Sequence, residues 1–229
     1  GRGIYQNIRK TVHFLISCNI GELLTVFVGF LLRLPSPLLA IQLLWVNLVT
    51  DSLPALALGV EPIDGDVMAR RPVRRGESIF SGGMTYNILV EGCLIGSLAL
   101  LAYSIGRAFF DVDPASPMVG RTMAFAVLSL SQVVHTFNMR SESSVFRGGL
   151  AANSKLVLAA VVCTFLQVAV IAVPPLAAVF KTAVLTGGEW LAVALLSLTP
   201  LAVVELEKVV TGRARVRRAK RGARKACRN

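Results

Sequence analysis

Residues 38–58 read LLAIQLLWVNLVTDSLPALAL. A helix needs about 20 mostly apolar residues to cross the hydrocarbon core of a bilayer. This stretch has that length, and it carries Asp51 in its C-terminal half. Asn47, Thr50 and Asp51 fall at i, i+3 and i+4, which places them on one helix face. Pro54 follows three residues after Asp51. Its ring clashes with the carbonyl of Thr50 and removes a backbone hydrogen bond, so the helix is expected to loosen there. Carbonyl oxygens would then be freed beside a carboxylate, as in the discontinuous helices that line ion sites.

Working outward, five more windows have the character of membrane helices. The six expected spans are about Val12–Leu32, Leu38–Leu58, Met84–Arg107, Thr122–Phe137, Leu156–Val173 and Trp190–Val209. The fourth is the shortest and most polar. LPSP at 34–37, SGG at 81–83, DPASP at 113–117 and VPP at 173–175 punctuate the gaps. The expected fold is therefore all-α, a six-helix transmembrane bundle. It has a stalk over residues 1–11, a membrane domain over 12–209 and a basic tail over 210–229. Composition agrees: 54% of the 229 residues are hydrophobic and 16% are charged, against about 25% charged in soluble domains.

Charge predicts the orientation. Placing both ends on one side gives that side Gly1–Thr11, the 59–83 loop, the 139–155 loop and the tail. Those segments and their edges hold 20 of the 24 Lys/Arg. The other side keeps only Arg33, Arg107, Arg121 and Lys181. Lys/Arg excess marks the cytoplasmic side, so both termini are expected there. The net charge of +11 is concentrated in the tail, where it reads as a solvated segment touching anionic lipid. The tail has none of the aromatic platforms of nucleic-acid binders, so nucleic acid is excluded as a partner. Cys18, Cys93 and Cys163 sit in apolar runs and read as small buried hydrophobes. With Cys227 they form no CxxC pair, so neither a disulfide framework nor a zinc knuckle is expected. The chain begins at Gly1 rather than Met and reads as a piece of a longer frame.

The polar groups inside the spans carry the functional information. A carboxylate at mid-span costs about 2.5–3.5 kcal/mol on insertion scales and marks an ion path or a paired site. Asn19 and Glu22 lie at i, i+3 on one face of the first span. With Asn47, Thr50 and Asp51 they make a set of hard oxygens suited to calcium or an alkali cation, not to zinc or copper. The alternative reading is that such groups only bond helices together. Two carboxylates with three neutral oxygens on adjacent spans favour the ion site. The fourth span adds Gln132 and His135 at i, i+3, then Asn138. Gln132 can donate an amide carbonyl. His135 reads as a helix-packing residue, with a proton relay as the other reading. Glu91 and Glu205 are expected near cytoplasmic span ends, within reach of headgroup water. Gln167 lies in the fifth span.

The stretches GRGIYQNIRKTVHFLISCNIGELL (1–24) and QLLWVNLVTDSLPALALGVEP (42–62) resemble the C-terminal membrane half of P-type calcium-transporting ATPases. TMAFAVLSLSQVVHTFNMRSES (122–143) and GGEWL (187–191) agree in order and spacing, and the resemblance runs to about Gly212. It implies that the six spans correspond to that family's fifth to tenth membrane helices. It also implies that the 1–11 stalk and the 59–83 loop couple them to the upstream cytoplasmic domains of the same pump. Asn19, Glu22, Asn47, Thr50 and Asp51 match calcium ligands, with Asp51 shared between two sites. Gln132 stands where two-site pumps carry a glutamate, which puts the number of ions in question. ATP and Mg2+ would act only in domains absent from this sequence, since it has neither a phosphorylation motif nor a nucleotide domain. The Arg/Ala-rich tail points to a bacterial source, hence a plasma membrane and calcium export. The competing readings are a stand-alone membrane module without enzyme activity, a P-type pump for another cation such as sodium, and a secondary exchanger. No inverted repeat supports the last.

Overall fold

A computed structural model describes residues 1–62, 79–80, 83–113, 115–140 and 153–226, the side chains of 140 and 207–226 excepted. Among them there is no strand. The helices are α1 (Arg2–Leu31), α2 (Ala40–Trp45), a π-helical segment (Val46–Asp51), α3 (Ser52–Gly59), α4 (Met84–Phe109), α5 (Met118–Arg140), α6 (Ser154–Ala172), α7 (Pro174–Phe180) and α8 (Gly187–Ala226). Large parts of the 59–83 and 139–155 loops, and Cys227, lie outside the described residues.

Five helical stretches are long and apolar enough to cross a membrane: Arg2–Leu31, Ala40–Gly59, Met84–Phe109, Ser154–Ala172 and Gly187–Leu206. The expected fourth span is present as the 23-residue helix α5 but is not among them. Its surroundings explain its polarity. Thr122, Ser129, Ser131, Gln132, His135 and Thr136 are all fully buried. Protein, not lipid, surrounds α5, so little selects for apolar side chains along it. Leu23, Phe27, Leu44, Leu158, Phe165 and Leu195 of the other helices are exposed instead, as lipid-facing residues should be.

At about 1.5 Å per residue α1 is about 45 Å long, against a hydrocarbon core of about 30 Å. Residues 2–11 are therefore continuous with the span as helix. α1 lies against α4 with little between the backbones. A Cβ on Gly92 would stand 2.8 Å from Ser17 O, and one on Gly96 would stand 2.7 Å from Gly21 O. Such small-residue contact is how helices associate where lipid removes the hydrophobic drive. At the far end, Gly106 packs on Gly120 between α4 and α5. The Asp111 carboxylate closes that turn, accepting from Val119 N and Gly120 N, both at 2.8 Å. It thereby satisfies amides of the first turn of α5 and opposes the positive end of that helix.

The start of α1 is tied to the end of α3 and, through Glu61, to the start of α6. Asn7 Nδ2 donates to Glu61 O (2.8 Å) and Gly59 O (3.3 Å). Glu61 Oε2 accepts from Asn153 Nδ2 at 2.6 Å, and Asn153 Oδ1 caps α6 through Leu156 N. α8 runs without a break through residues expected to form a separate tail.

Candidate cation-binding site

The π-helical segment contains Asn47, Thr50 and Asp51. It sits immediately before Pro54, where the proline should loosen the chain. Widening the turn by one residue leaves carbonyls without their usual partners. Ser52 Oγ donates to Asn47 O at 2.8 Å, and Cys163 Sγ approaches Val49 O at 3.6 Å. Asn47 O and Val49 O thus each face a side-chain donor, and Val49 O also accepts from Ser52 N.

Glu22 is buried on α1 and accepts at both oxygens. Asn47 Nδ2 donates to Oε2 at 2.7 Å, and Gln132 Nε2 donates to Oε1 at 3.2 Å. The structure therefore joins Glu22, Asn47 and Gln132 directly. Asp51 is only 1% exposed, and neither of its carboxylate oxygens has a hydrogen-bond partner. A charge so placed costs several kcal/mol unless a cation or proton meets it. Gln132 Oε1 is also buried without a partner. Thr50 Oγ1 donates back to Val46 O at 3.0 Å, which leaves its lone pairs available. Asn19 and Asn47 are exposed, and Asn19 Nδ2 bonds back to Leu15 O at 2.7 Å. Cys18 is fully buried on α1, and its thiol lies beside the Asp51 carboxylate.

Among the described residues, no group of three or more His, Cys, Asp or Glu is placed to hold a metal ion. The donor set here is different in kind: two carboxylates with amide, hydroxyl and backbone oxygens. Amides can present either end. With Glu22 charged they present N–H. Rotating them would turn oxygens toward a cation lying between Glu22 and Asp51. These residues suit a hard cation that takes 6–8 oxygens, some of them from backbone or water.

Glu91 has protein partners that the sequence did not suggest. It is buried on α4, with Oε2 at 2.7 Å from His13 Nε2 on α1 and 3.4 Å from His135 Nε2 on α5. His135 is a buried packing residue, stacked on Phe14, and neither of its ring nitrogens has a hydrogen-bond partner. His13 escaped sequence reading. The available signal was that the chain has two histidines and both fall in helices of membrane length. Gln167 accepts from Trp45 Nε1 and Ser129 Oγ, each at 3.0 Å, and so bonds α2 and α5 to α6.

Residues 35–210 match the family model described as "Cation transporting ATPase, C-terminus". The chain belongs to this family of cation-transporting ATPase C-termini. As a member it is similar to the calcium-transporting ATPase 1 of Bacillus cereus, 43% identical over 203 residues, which cover 83% of this chain and 23% of that protein. It is 42% identical over 193 residues to the calcium-transporting ATPase of Bacillus subtilis, covering 84% of this chain and 21% of that protein. With the calcium-transporting ATPase 1 of Lactococcus lactis it shares 33% identity over 214 residues, or 93% of this chain and 24% of that protein. The chain spans about a quarter of the length of the curated relatives it matches. The match begins before the oxygen-bearing segment of residues 47–51 and runs past α5, so the family assignment covers that part of the candidate site.

Proposed function

We propose that this chain is the cation-binding membrane part of an ATP-driven pump that moves calcium out of the cytoplasm. The observation that carries the reading is Asp51, a buried carboxylate with both oxygens unpartnered in a loosened helix, one span away from a second buried carboxylate, Glu22. The names of the relatives support calcium as the ion. On this reading α5 crosses the membrane with the other five, making six spans equivalent to the family's fifth to tenth. Both termini face the cytoplasm, in keeping with the Lys/Arg distribution, and the membrane is a bacterial plasma membrane. Its partners are the upstream cytoplasmic domains of the same pump and the surrounding lipid.

The residues would act as follows. Asn19, Glu22, Asn47, Thr50, Asp51 and Gln132 supply oxygens to the ion, with Asn47 and Gln132 turning their carbonyls inward as it enters. ATP and Mg2+ supply the driving chemistry in the parts of the pump beyond this sequence. Movement of the stalk reaches the site along α1, and it reaches α3 through Asn7 on Gly59 O and Glu61 O. The cage loosens, the ion leaves, and protons take its place on Glu22 and Asp51, because bare buried carboxylates are costly. Transport requires that the ion bind the two arrangements with different affinity.

The test is made in the full-length pump. Glu22→Gln and Asp51→Asn should each weaken calcium activation of phosphorylation by at least about a hundredfold, since breaking a buried charge set costs about 3–5 kcal/mol. Calcium activation unchanged in both variants would refute the site. Activation by sodium in place of calcium would reassign the ion and keep the site.

A further inference from the structure

Both histidines of the chain meet one carboxylate. His13 Nε2 lies 2.7 Å from Glu91 Oε2, and His135 Nε2 lies 3.4 Å from the same oxygen. Each residue comes from a different helix: α1, α4 and α5. Exposure falls along the row, with side chains 15% exposed at His13, 11% at Glu91 and 1% at His135. The row thus runs from a partly accessible edge to the closed interior. It ends on His135, whose Nδ1 and Nε2 are both buried without a hydrogen-bond partner, Nε2 facing Glu91 Oε2 at ion-pair distance. None of the three belongs to the proposed oxygen cage, and His135 stands one helical turn beyond Gln132.

The charge on this cluster limits what it can hold. With both rings neutral it carries −1, with one added proton it is neutral, and with two it is +1. A low-dielectric interior favours the neutral form. Imidazole is the side chain that exchanges protons near neutral pH. The other titratable or charged groups on the elements packed around it include Arg2, Tyr5, Arg9, Lys10, Cys18 and Glu22 on α1, Tyr86, Cys93, Tyr103 and Arg107 on α4, Arg121 on α5, Asp51 before α3, Lys155 and Cys163 on α6, and Glu189 and Glu205 on α8. Arg9 points to the start of α4, where Nε donates to Met84 Sδ at 3.4 Å.

We propose that His13, Glu91 and His135 form a proton-binding site of the transport unit, distinct from the oxygen cage and opened and closed by α1. The proposal rests on the reading of the chain as a moving transport part. A proton on His13 Nε2 passes to Glu91 Oε2, breaking an N–H bond and making an O–H bond. The carboxyl then gives it to His135 Nε2, and Glu91 regains its charge. No co-reactant is needed. Only His13 belongs to α1, so displacement of α1 against α4 and α5 changes the 2.7 Å contact and cuts the inner pair off from the edge.

The experiment uses the full-length pump in sealed vesicles with a trapped pH-sensitive dye. Protons and calcium moved per cycle are counted together, and activity is profiled across pH. Glu91→Gln and His135→Gln are expected to move about one proton fewer per cation and to flatten the profile between about pH 5 and 8. Calcium affinity should stay within about threefold of the parent. His13→Gln, at the accessible edge and least disruptive to folding, should slow proton uptake, and Glu91→Asp should restore part of the count. An unchanged proton count and pH profile in all the Gln variants would overturn the proposal. So would a loss of calcium affinity as deep as that of Glu22→Gln, which would place Glu91 in the cage. If the parent pump moves another cation, the calcium reading fails alone and the same count is taken against that ion. A parent that moves none overturns both.

Discussion

Gln132 decides how much negative charge the candidate cage holds. It donates to Glu22 at 3.2 Å and keeps Oε1 free, so it neutralises nothing. Gln132→Glu would bring a third carboxylate to that place. The ion-free site becomes costlier and the loaded one tighter, and calcium affinity measured by equilibrium binding in the full-length pump should rise about tenfold, a step of about 1.4 kcal/mol. An unchanged affinity would place Gln132 outside the cage. Residue types and spacing made Glu22, Asn47, Thr50, Asp51 and Gln132 legible as candidates, because polar groups inside apolar windows stand out by their cost. The direct bonds from Asn47 and Gln132 to Glu22 were not legible, since they join residues 25 and 110 positions apart. Nor was the partnership of Glu91 with His13, which depends on how closely α4 approaches α1. Distance along the chain gives no hint of either.

At the scale of the element, the π-helical segment is the feature most nearly dictated by local sequence. Pro54 removes one backbone donor and crowds the carbonyl of Thr50, and the chain widens just before it. Pro54→Ala should let the turn revert to α geometry. Such a variant should be as stable as the parent or more so in thermal unfolding, since interior proline costs about 3 kcal/mol. It should nevertheless bind calcium at least about tenfold more weakly, because Asn47 and Asp51 change their relative angle. Stability and affinity falling together would argue for a merely structural proline. The α1/α4 contact gives a second expectation. Gly92→Ala sets a methyl 2.8 Å from the Ser17 carbonyl, which is backbone and cannot swing away. A loss of about 1–3 kcal/mol is expected, seen as a lower unfolding temperature in detergent. Gly59 has only Thr11 Oγ1 near its added methyl, at 3.9 Å, and Gly59→Ala serves as the control.

For the whole molecule, hydropathy located five membrane-length helices well, because each turns apolar residues to the outside. It rated the sixth poorly for a physical reason: α5 is enclosed by the others and answers to packing, not to lipid. The number of crossings follows from which side each end is on. An even number puts Gly1 and Asn229 on the same side, and an odd number separates them. Impermeant labelling of cysteines introduced at the two ends and in the 113–116 turn reads this directly. The expected result is both ends labelled from the cytoplasmic side and the turn from the other. Labelling of the two ends from opposite sides would remove α5, or another helix, from the spans.

The seclusion of α5 also bears on how the protein is made. On the six-span topology, a segment this rich in Ser, Thr, Gln, His and Asn gains little by leaving an insertion channel alone for lipid. Asp111 already bonds the first amides of α5, and Gly106 already meets Gly120, across the short turn from α4. The two helices are therefore expected to enter the bilayer as a hairpin, the apolar one escorting the polar one. Weakening that turn should show first as a defect of biogenesis, with nascent chains degraded before any transport can be measured.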